Sequence, residues 1–362
     1  MKLNKLALMA LALSLTFTSC SNDDDTPPVT PLGDYESGII ILNEGQFFGG
    51  NASVSFVSND LSVVENDVFN NVNGELLGDT AQSITFNDNR AYVVVNVSKK
   101  IEVVNRNTFS TIATIDTGLT NPRYMAIANG KGYVTDWGDG SDPTDDFIAV
   151  IDLETNTITS TIPVGEGPEQ IIANNTTVYV SHKGGFNSNN IVSAINAATN
   201  TVQTITVNDN PDEMVFDISG NLLVLCEGRQ IFNADFSAII DHTIGSITKI
   251  NTSDNTIDSS TDFEFGSHPR LFTLDDSNGD IYYYLSGSVF KLGAGESVLP
   301  MNSIITETLY GGGSLVVRNN QLFTTKTDFT ADTGELKIYD LLSNTLIDTK
   351  ELKEGASKVY FN

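Results

Sequence analysis

The sequence contains little cysteine, histidine or tryptophan. Of 362 residues, two are Cys, three are His and one is Trp. Cys20 follows the N-terminal apolar run, and Cys226 ends the apolar run 222–226, so we expect no disulfide and a free, buried thiol at Cys226. Three His residues form a metal centre only if the fold brings them together, and we assign no metal site. The His residues are His182, His242 and His268.

Basic residues are also scarce. The chain has 19 Lys and Arg against 46 Asp and Glu, for a net charge of −27. Nucleic-acid binding needs a basic surface, so this charge excludes it as a partner. Acidity of this size favours solubility, and it would also attract a cationic ligand or Ca²⁺. The five Asp residues between Asp136 and Asp146 are the candidate Ca²⁺ ligands, although they lack EF-hand spacing.

Sequence motifs of catalysis are missing as well. The chain has no Gly-x-Ser-x-Gly nucleophile motif and no phosphate-binding loop, and no pair of carboxylates stands out for acid–base chemistry. We therefore expect a non-catalytic protein.

The N-terminus has the layout of an export signal. A basic segment, 1–5, precedes an apolar run, 6–17, which is too short to span a bilayer. The following Phe17-Thr-Ser-Cys20 resembles the lipobox of bacterial lipoproteins, with Phe17 where Leu is usual. This resemblance implies cleavage before Cys20 and lipidation of Cys20. The simpler alternative is a disordered N-terminal tail.

Acidic and Pro-rich segments come next. The Asp residues of 21–25 resemble the signal that sends lipoproteins of the Bacteroidota type to the outer face of the outer membrane, and 26–31 is Pro-rich. We therefore predict a signal peptide over 1–19, a lipidated Cys with a flexible tether over 20–33, and a folded domain over 34–362. The predicted location is the outer membrane, lipid-anchored and exposed at the cell surface.

An internal repeat dominates the rest of the chain. Its clearest copy is Pro122–Ala128, Gly132–Asp136, Phe147–Asp152 and Thr157–Val164, four apolar or Thr-rich segments. Copies begin near Ala81, Pro122, Pro168, Pro211, Pro269 and Gly313. Four strands in 40 to 45 residues predict one blade of a β-propeller.

The two ends of the repeat region complement each other. Before Ala81 the chain offers three strands, near 38–43, 53–57 and 61–68, and the missing innermost strand is supplied by 357–361. This predicts an all-β, seven-bladed propeller of four-stranded blades, closed by the C-terminal strand completing the first blade. The Tyr-Val strands, such as 133–136 and 179–182, resemble the YVTN repeat of YncE-like seven-bladed propellers. That resemblance is specific for fold and says little about function.

Insertions gather on one predicted face. If strands A to D run from the axis outward, the B–C loops and the D–A connections share a face, and the other face carries short turns. Long B–C loops are predicted at 44–51, 137–146, 182–190, 227–243 and 326–334. Variation concentrated on one face of a repeat protein marks its binding surface.

The candidate ligand-binding residues come from these loops and from the starts of the A strands. Aromatic side chains in loops offer large, stiff contact area, and charged residues opening the A strands would orient a ligand. The alternative for each aromatic residue is local packing over its own loop, and for the charged residues it is salt bridges between blades. The candidates are Phe47, Phe48, Arg123, Trp137, Glu169, His182, Phe186, Arg229, Arg270 and Phe329.

The combined plan of lipobox, acidic export stretch and YncE-like ring is similar to vitamin B12-capturing surface lipoproteins of Bacteroidota. This resemblance implies a corrinoid ligand and handover to an outer-membrane transporter. Two other functions remain open: an adhesive or scaffolding surface protein that binds protein or glycan, and a lactonase-type propeller hydrolase.

Overall fold

The described part of the chain is built from seven four-stranded antiparallel sheets. The computed structural model describes residues 33–309, 313–328 and 332–362. Each sheet is one blade, and every blade except the first is formed by consecutive segments of the chain. The predicted signal peptide, Cys20 and the tether up to residue 32 lie outside the described residues, as does Phe329.

The first half of the chain forms most of blade 1 and all of blades 2 to 4. Blade 1 begins with β1 (Gly38–Asn43), β2 (Ser53–Ser58) and β3 (Val64–Glu65), followed by the helix α1 (Val68–Asn73). Blade 2 has β4 (Ala81–Asn87), β5 (Arg90–Val95), β6 (Lys100–Asn105) and β7 (Thr111–Ile115). Blade 3 has β8 (Pro122–Ala128), β9 (Lys131–Asp136), β10 (Phe147–Asp152) and β11 (Thr157–Pro163). Blade 4 has β12 (Pro168–Ala173), β13 (Thr177–His182), β14 (Ile191–Asn196) and β15 (Val202–Thr206).

The second half forms blades 5 to 7 and the closing strand. Blade 5 has β16 (Pro211–Phe216) and β17 (Leu222–Cys226), an inserted hairpin of β18 (Gln230–Phe232) and β19 (Ile239–His242), then β20 (Ser246–Asn251) and β21 (Thr256–Asp262). Blade 6 has β22 (Arg270–Leu274), β23 (Ile281–Leu285), β24 (Ser288–Leu292) and β25 (Ile305–Thr306). Blade 7 has β26 (Leu315–Arg318), β27 (Gln321–Asp328), β28 (Thr333–Asp340) and β29 (Thr345–Lys353). The last strand is β30 (Ala356–Phe361).

The predicted ring closure is confirmed. The sheet order of blade 1 is β3-β2-β1-β30, so the C-terminal strand takes the innermost position beside β1. Ile39 pairs with Phe361 and Ile41 with Val359. The backbone N–H of Asn362 also donates to the carbonyl of Gly38 at 3.0 Å. The two ends of the described chain are therefore held in one sheet.

The repeated Tyr-Val segment fills the space between blades. Tyr92, Tyr133, Tyr179 and Tyr283 occupy the third position of the second strand in four blades, and all four are almost completely buried. The hydroxyl of Tyr133 donates to the carbonyl of Ala197 in the next blade at 3.0 Å. The hydroxyl of Tyr179 likewise donates to Asn255 Oδ1 in the next blade at 2.7 Å, whereas that of Tyr92 has no partner among the described residues. What the four positions share is a large ring that fills the gap between blades.

The structure differs from the sequence-based prediction in one connection, in blade 7, and in one strand, in blade 1. The segment 326–334 was predicted to be a long loop, which is wrong: β27 and β28 extend through most of it as a paired hairpin. The fourth strand of blade 1, expected over 61–68, is reduced to Val64–Glu65, and α1 follows it unpredicted. The Cys226 thiol is free and buried, as expected. No helix of the described chain is long and apolar enough to cross a membrane.

Candidate functional site

A charged funnel opens at the ring axis on the face of the B–C loops. Its cavity has a volume of about 310 Å³. The walls come from the first residues of the innermost strands and from the residues that follow the second strands. The charged lining residues are Glu44, Glu169, Asp212, Glu213 and Glu227 with Arg123, Lys183, Arg270 and Lys358.

One wall of the funnel is formed by two sequence-predicted residues, Arg123 and Glu169, and a third predicted residue, Trp137, stacks on Arg123 behind them. Arg123 donates two hydrogen bonds to the carboxylate of Glu169, at 2.7 and 3.1 Å. The guanidinium carbon of Arg123 lies 4.2 Å from the ring centroid of Trp137, in a cation–π contact. Trp137 Nε1 donates to the carbonyl of Pro168 at 2.9 Å. Blades 3 and 4 therefore meet in a fixed, charge-paired surface.

The adjoining wall, from blades 4 and 5, holds a cluster of carboxylates around one ammonium group. Lys183 Nζ lies 2.5 Å from Asp212 Oδ2 and 3.0 Å from Glu227 Oε1. Oxygens of Asp212, Glu213 and Glu227 all lie within 4.8 Å of one another, close enough to hold a cation. Glu213 Oε2 is buried and has no hydrogen-bond partner in the described part of the chain.

This crowding separates the protonation states of the three acids. Burial, together with the neighbouring Asp212, raises the pKa of Glu213 to about 8. Burial raises the pKa of Glu227 to about 7 against the opposing effect of Lys183. Burial alone would raise the pKa of Asp212, but the contact with Lys183 lowers it overall. The funnel thus contains two acids whose pKa values are raised and one whose pKa is lowered, within a few ångströms of one another.

The floor of the funnel is formed by Tyr124 and Lys358. Lys358 Nζ lies 5.8 Å from the ring centroid of Tyr124, and the Tyr124 hydroxyl accepts a hydrogen bond from Gln82 Nε2 at 3.0 Å. Below this layer a second axial cavity of about 280 Å³ continues between the innermost strands. Tyr124, Gln170, Glu213, Leu271 and Lys358 border both cavities.

Predicted aromatic residues stand at the rim. Phe47 lines the funnel and contacts Phe48, with ring centroids 4.2 Å apart. Phe186 packs edge-on against Trp137 at 5.9 Å, yet 80% of its surface is exposed. These rings form two aromatic pairs beside the charged funnel: Phe47 with Phe48, both exposed, and the half-buried Trp137 with the exposed Phe186.

Of the three remaining predicted residues, only Arg270 lies in the funnel, and His182 and Arg229 lie outside it. His182 is fully buried, with Nδ1 2.9 Å from the carbonyl of Gly165 and Nε2 2.9 Å from Ser193 Oγ. Burial lowers the pKa of His182 to about 4, so its imidazole is neutral at pH 7. It stabilises the connection between blades 3 and 4, where Gly165 lies. Arg229 lies near Asp209, with 3.7 Å between Nε and Oδ2, and is not among the funnel residues. Arg270 lines the funnel.

The acidic loop of blade 3 directs its carboxylates at backbone groups. Asp136 accepts hydrogen bonds from the N–H groups of Thr120, Asn121 and Gly138. Asp146 Oδ2 accepts from the N–H of Gly167 at 2.7 Å. Two of the carboxylates, Asp136 and Asp146, therefore stabilise the backbone of this loop and its neighbours. The binding of Ca²⁺ in the Asp136–Asp146 loop stays a prediction.

Sequence reasoning missed Glu44, Lys183 and Glu227, although a signal for them exists. Each is the first residue after the second strand of its blade, the position that Trp137 occupies in blade 3. Aligning the repeats at the end of that strand would have placed Glu44, Lys183 and Glu227 at equivalent positions around the mouth of the axis. Asp212, Glu213 and Lys358 lie near the starts of innermost strands, where charged residues were expected to orient a ligand.

The raised pKa of Glu213 predicts a slope in stability against pH. The Glu213 carboxyl ionises near pH 4 in the unfolded chain but near pH 8 in the folded protein. Between these pH values the folded protein therefore keeps a proton that the unfolded chain has lost. The free energy of unfolding should fall as pH rises through this window, by roughly 1 kcal/mol per pH unit. Glu213→Gln mimics the protonated acid and should flatten the slope. Urea denaturation between pH 5 and pH 9 checks this, and an unchanged slope in the variant would contradict it.

The fold and the axial funnel define the class: this is a seven-bladed β-propeller. The chain belongs to the family described as "Domain of unknown function (DUF5074)", whose model matches residues 37–361. No functionally curated protein matches it in sequence.

Solved structures share its architecture. A putative 6-phosphogluconolactonase from Bacteroides fragilis is 12% identical with a TM-score of 0.63, over 91% of this chain and 99% of that one. The periplasmic gluconolactonase of Pseudomonas aeruginosa is 10% identical with a TM-score of 0.61, over 89% and 99%. At such identities the likeness concerns the fold.

Proposed function

We propose that this protein is a non-catalytic binding protein that takes a polar small molecule into the axial funnel. The observation that carries this proposal is the convergence of charged side chains from five blades at one end of the axis, beside exposed aromatic rings. Concave sites with a few fixed polar groups and an aromatic border are typical of small-molecule binding. The paired charges Arg123–Glu169 and Lys183–Asp212 keep the walls rigid, so little ordering is needed when a ligand binds.

The first ligand to test is a corrinoid of the vitamin B12 type. A broad, flat ring with amide side chains matches a face with exposed Phe47, Phe48 and Phe186, while a polar substituent enters the funnel. Surface exposure on the outer membrane through a lipid on Cys20, and handover to an outer-membrane transporter, belong to the same proposal. They rest on the sequence of the first 33 residues and on the resemblance to surface lipoproteins.

The single Trp gives a direct measurement. Trp137 lies between Arg123 and Phe186 at the edge of the funnel, so a bound corrinoid should quench its fluorescence saturably. Trp137→Phe should remove the signal, while equilibrium dialysis should show that cobalamin is still retained. Absence of both quenching and retention at micromolar protein would rule out the corrinoid.

A lactonase is the second candidate, and the acids of the funnel favour it. Glu213 and Glu227, with pKa values of about 8 and 7, are suited to donate and accept a proton near neutral pH. Two proteins of similar fold carry lactonase names. Hydrolysis of glucono-1,5-lactone that is lost in Glu227→Gln, with Lys291→Met unaffected, would establish catalysis in place of simple binding.

A further inference from the structure

A further cavity lies away from the axis, at the seam where blade 7 meets blade 1. Its volume is about 540 Å³, and it shares no lining residue with the funnel. The wall from blade 1 includes Gln46, Asn51 and the segment around α1, and the wall from blade 7 includes Lys353 and Glu354. We call it the seam cavity.

Planar polar groups are fixed in this cavity. The carboxylate of Glu354 is 5% exposed, and its two oxygens accept hydrogen bonds from Gln46 Nε2 at 2.8 Å and Asn51 Nδ2 at 3.2 Å. Asn70 also lines the cavity; its backbone carbonyl accepts from the N–H of Gly74, and its side chain makes no hydrogen bond to another described residue. Its amide therefore has both a donor and an acceptor ready for a ligand.

Charge in the seam cavity disfavours an anion. Lys353 is paired with Asp67, with 3.0 Å between Nζ and Oδ2. Glu354 and Asp332 then remain as negative groups of the lining, with no second Lys or Arg. A ligand that offers many hydroxyl groups and no negative charge matches these acceptors.

The cavity also has apolar surface. Phe69 and Leu77 are buried at its wall, and Leu76 is 66% exposed beside them. Amide and carboxylate groups beside an apolar contact match the hydroxyl edge and the C–H face of a sugar ring. At about 30 Å³ per small group, the volume accommodates one to two rings.

We propose that the seam cavity binds a neutral carbohydrate of one or two rings, independently of the axial funnel. The site is formed only when the ring closes, because Glu354 lies in the turn between β29 and β30 and its partners Gln46 and Asn51 follow β1.

The test is saturation-transfer NMR and calorimetry of the whole folded protein with maltose, cellobiose and lactose. We expect at least one of these sugars to bind. Asn70→Leu should weaken that sugar about fivefold or more, since it removes a ligand contact and no internal hydrogen bond. Asn302→Leu, a change at an exposed Asn of blade 6, is the matched control and should leave sugar binding unchanged.

Three outcomes would overturn the proposal. One is no binding of any of the three sugars, and another is binding that Asn70→Leu leaves intact. The third is competition by spermidine, which would identify the seam cavity as a site for cations.

Discussion

A chain that ends at Gly355, and therefore lacks β30, is expected to have no cooperatively folded state at 25 °C. Removal of β30 exposes the edge of β1 and the apolar cluster in which Ile41 and Phe323 pack against Val359. The lost burial is on the order of 5–10 kcal/mol, similar to the whole stability of an average domain. Urea denaturation followed by circular dichroism measures the effect.

A peptide with the sequence of residues 354–362 provides the control for this truncation. Added in excess, it should restore a cooperative transition, because the position next to β1 is a strand-sized vacancy with specific register. A truncated chain that unfolds with the same midpoint as the full chain would show that closure contributes little.

Lys183→Met should cost about 2–3 kcal/mol at pH 8. The change leaves Asp212 and Glu227 facing each other beside Glu213 without their ammonium partner. Loss of one partner from a buried ion pair typically costs 3–5 kcal/mol, and the partial exposure of Lys183 reduces that figure. The cost should shrink at pH 5, because protonation of Glu213 and Glu227, whose pKa values are already raised, relieves the repulsion.

Lys291→Met is the matched control for Lys183→Met. Lys291 Nζ lies 2.5 Å from Asp280 Oδ2, but this pair lies on the surface with a single carboxylate. Its loss should cost less than about 1 kcal/mol, since exposed pairs are screened by water and salt. Denaturant titration of both variants at pH 5 and pH 8 tests the comparison. Equal losses for the two variants at both pH values would refute the special role of Lys183.

The number of blades and the closure of the ring were predicted correctly from the sequence, because the repeated segments are the strands that pack in the same way in successive blades. Tyr133 and Tyr179 recur since each blade must fill the same gap, and the strand 357–361 stands out since blade 1 lacks an inner strand. The errors fall where the repeat is broken. α1 and the extended β27–β28 hairpin depend on contacts of single blades, which no periodic pattern encodes.

The candidate site was predicted only in part for a related physical reason. Arg123 and Glu169 were identified because they open innermost strands, and the rim aromatic residues because they lie in loops. Their pairing depends on how far blades 3 and 4 are rotated about the axis, which the sequence does not state. His182 shows the reverse case: this polar residue, placed by the sequence in a binding loop, ends β13 and instead bonds to the carbonyl of Gly165, in the connection between blades 3 and 4.

Closure by β30 also fixes the order of events in folding. Ile39 finds its partner only when Phe361 is available, at the other end of the described chain, so blade 1 forms by the most distant contact in the ring. Contacts of this kind form slowly, because a long loop must close before they contribute any stability. Blades 2 to 7 are assembled from neighbouring segments and are able to form first. Until the last strand arrives, the whole molecule has an open edge at β1, and this interval is when it is most exposed to proteases and to pairing with another copy.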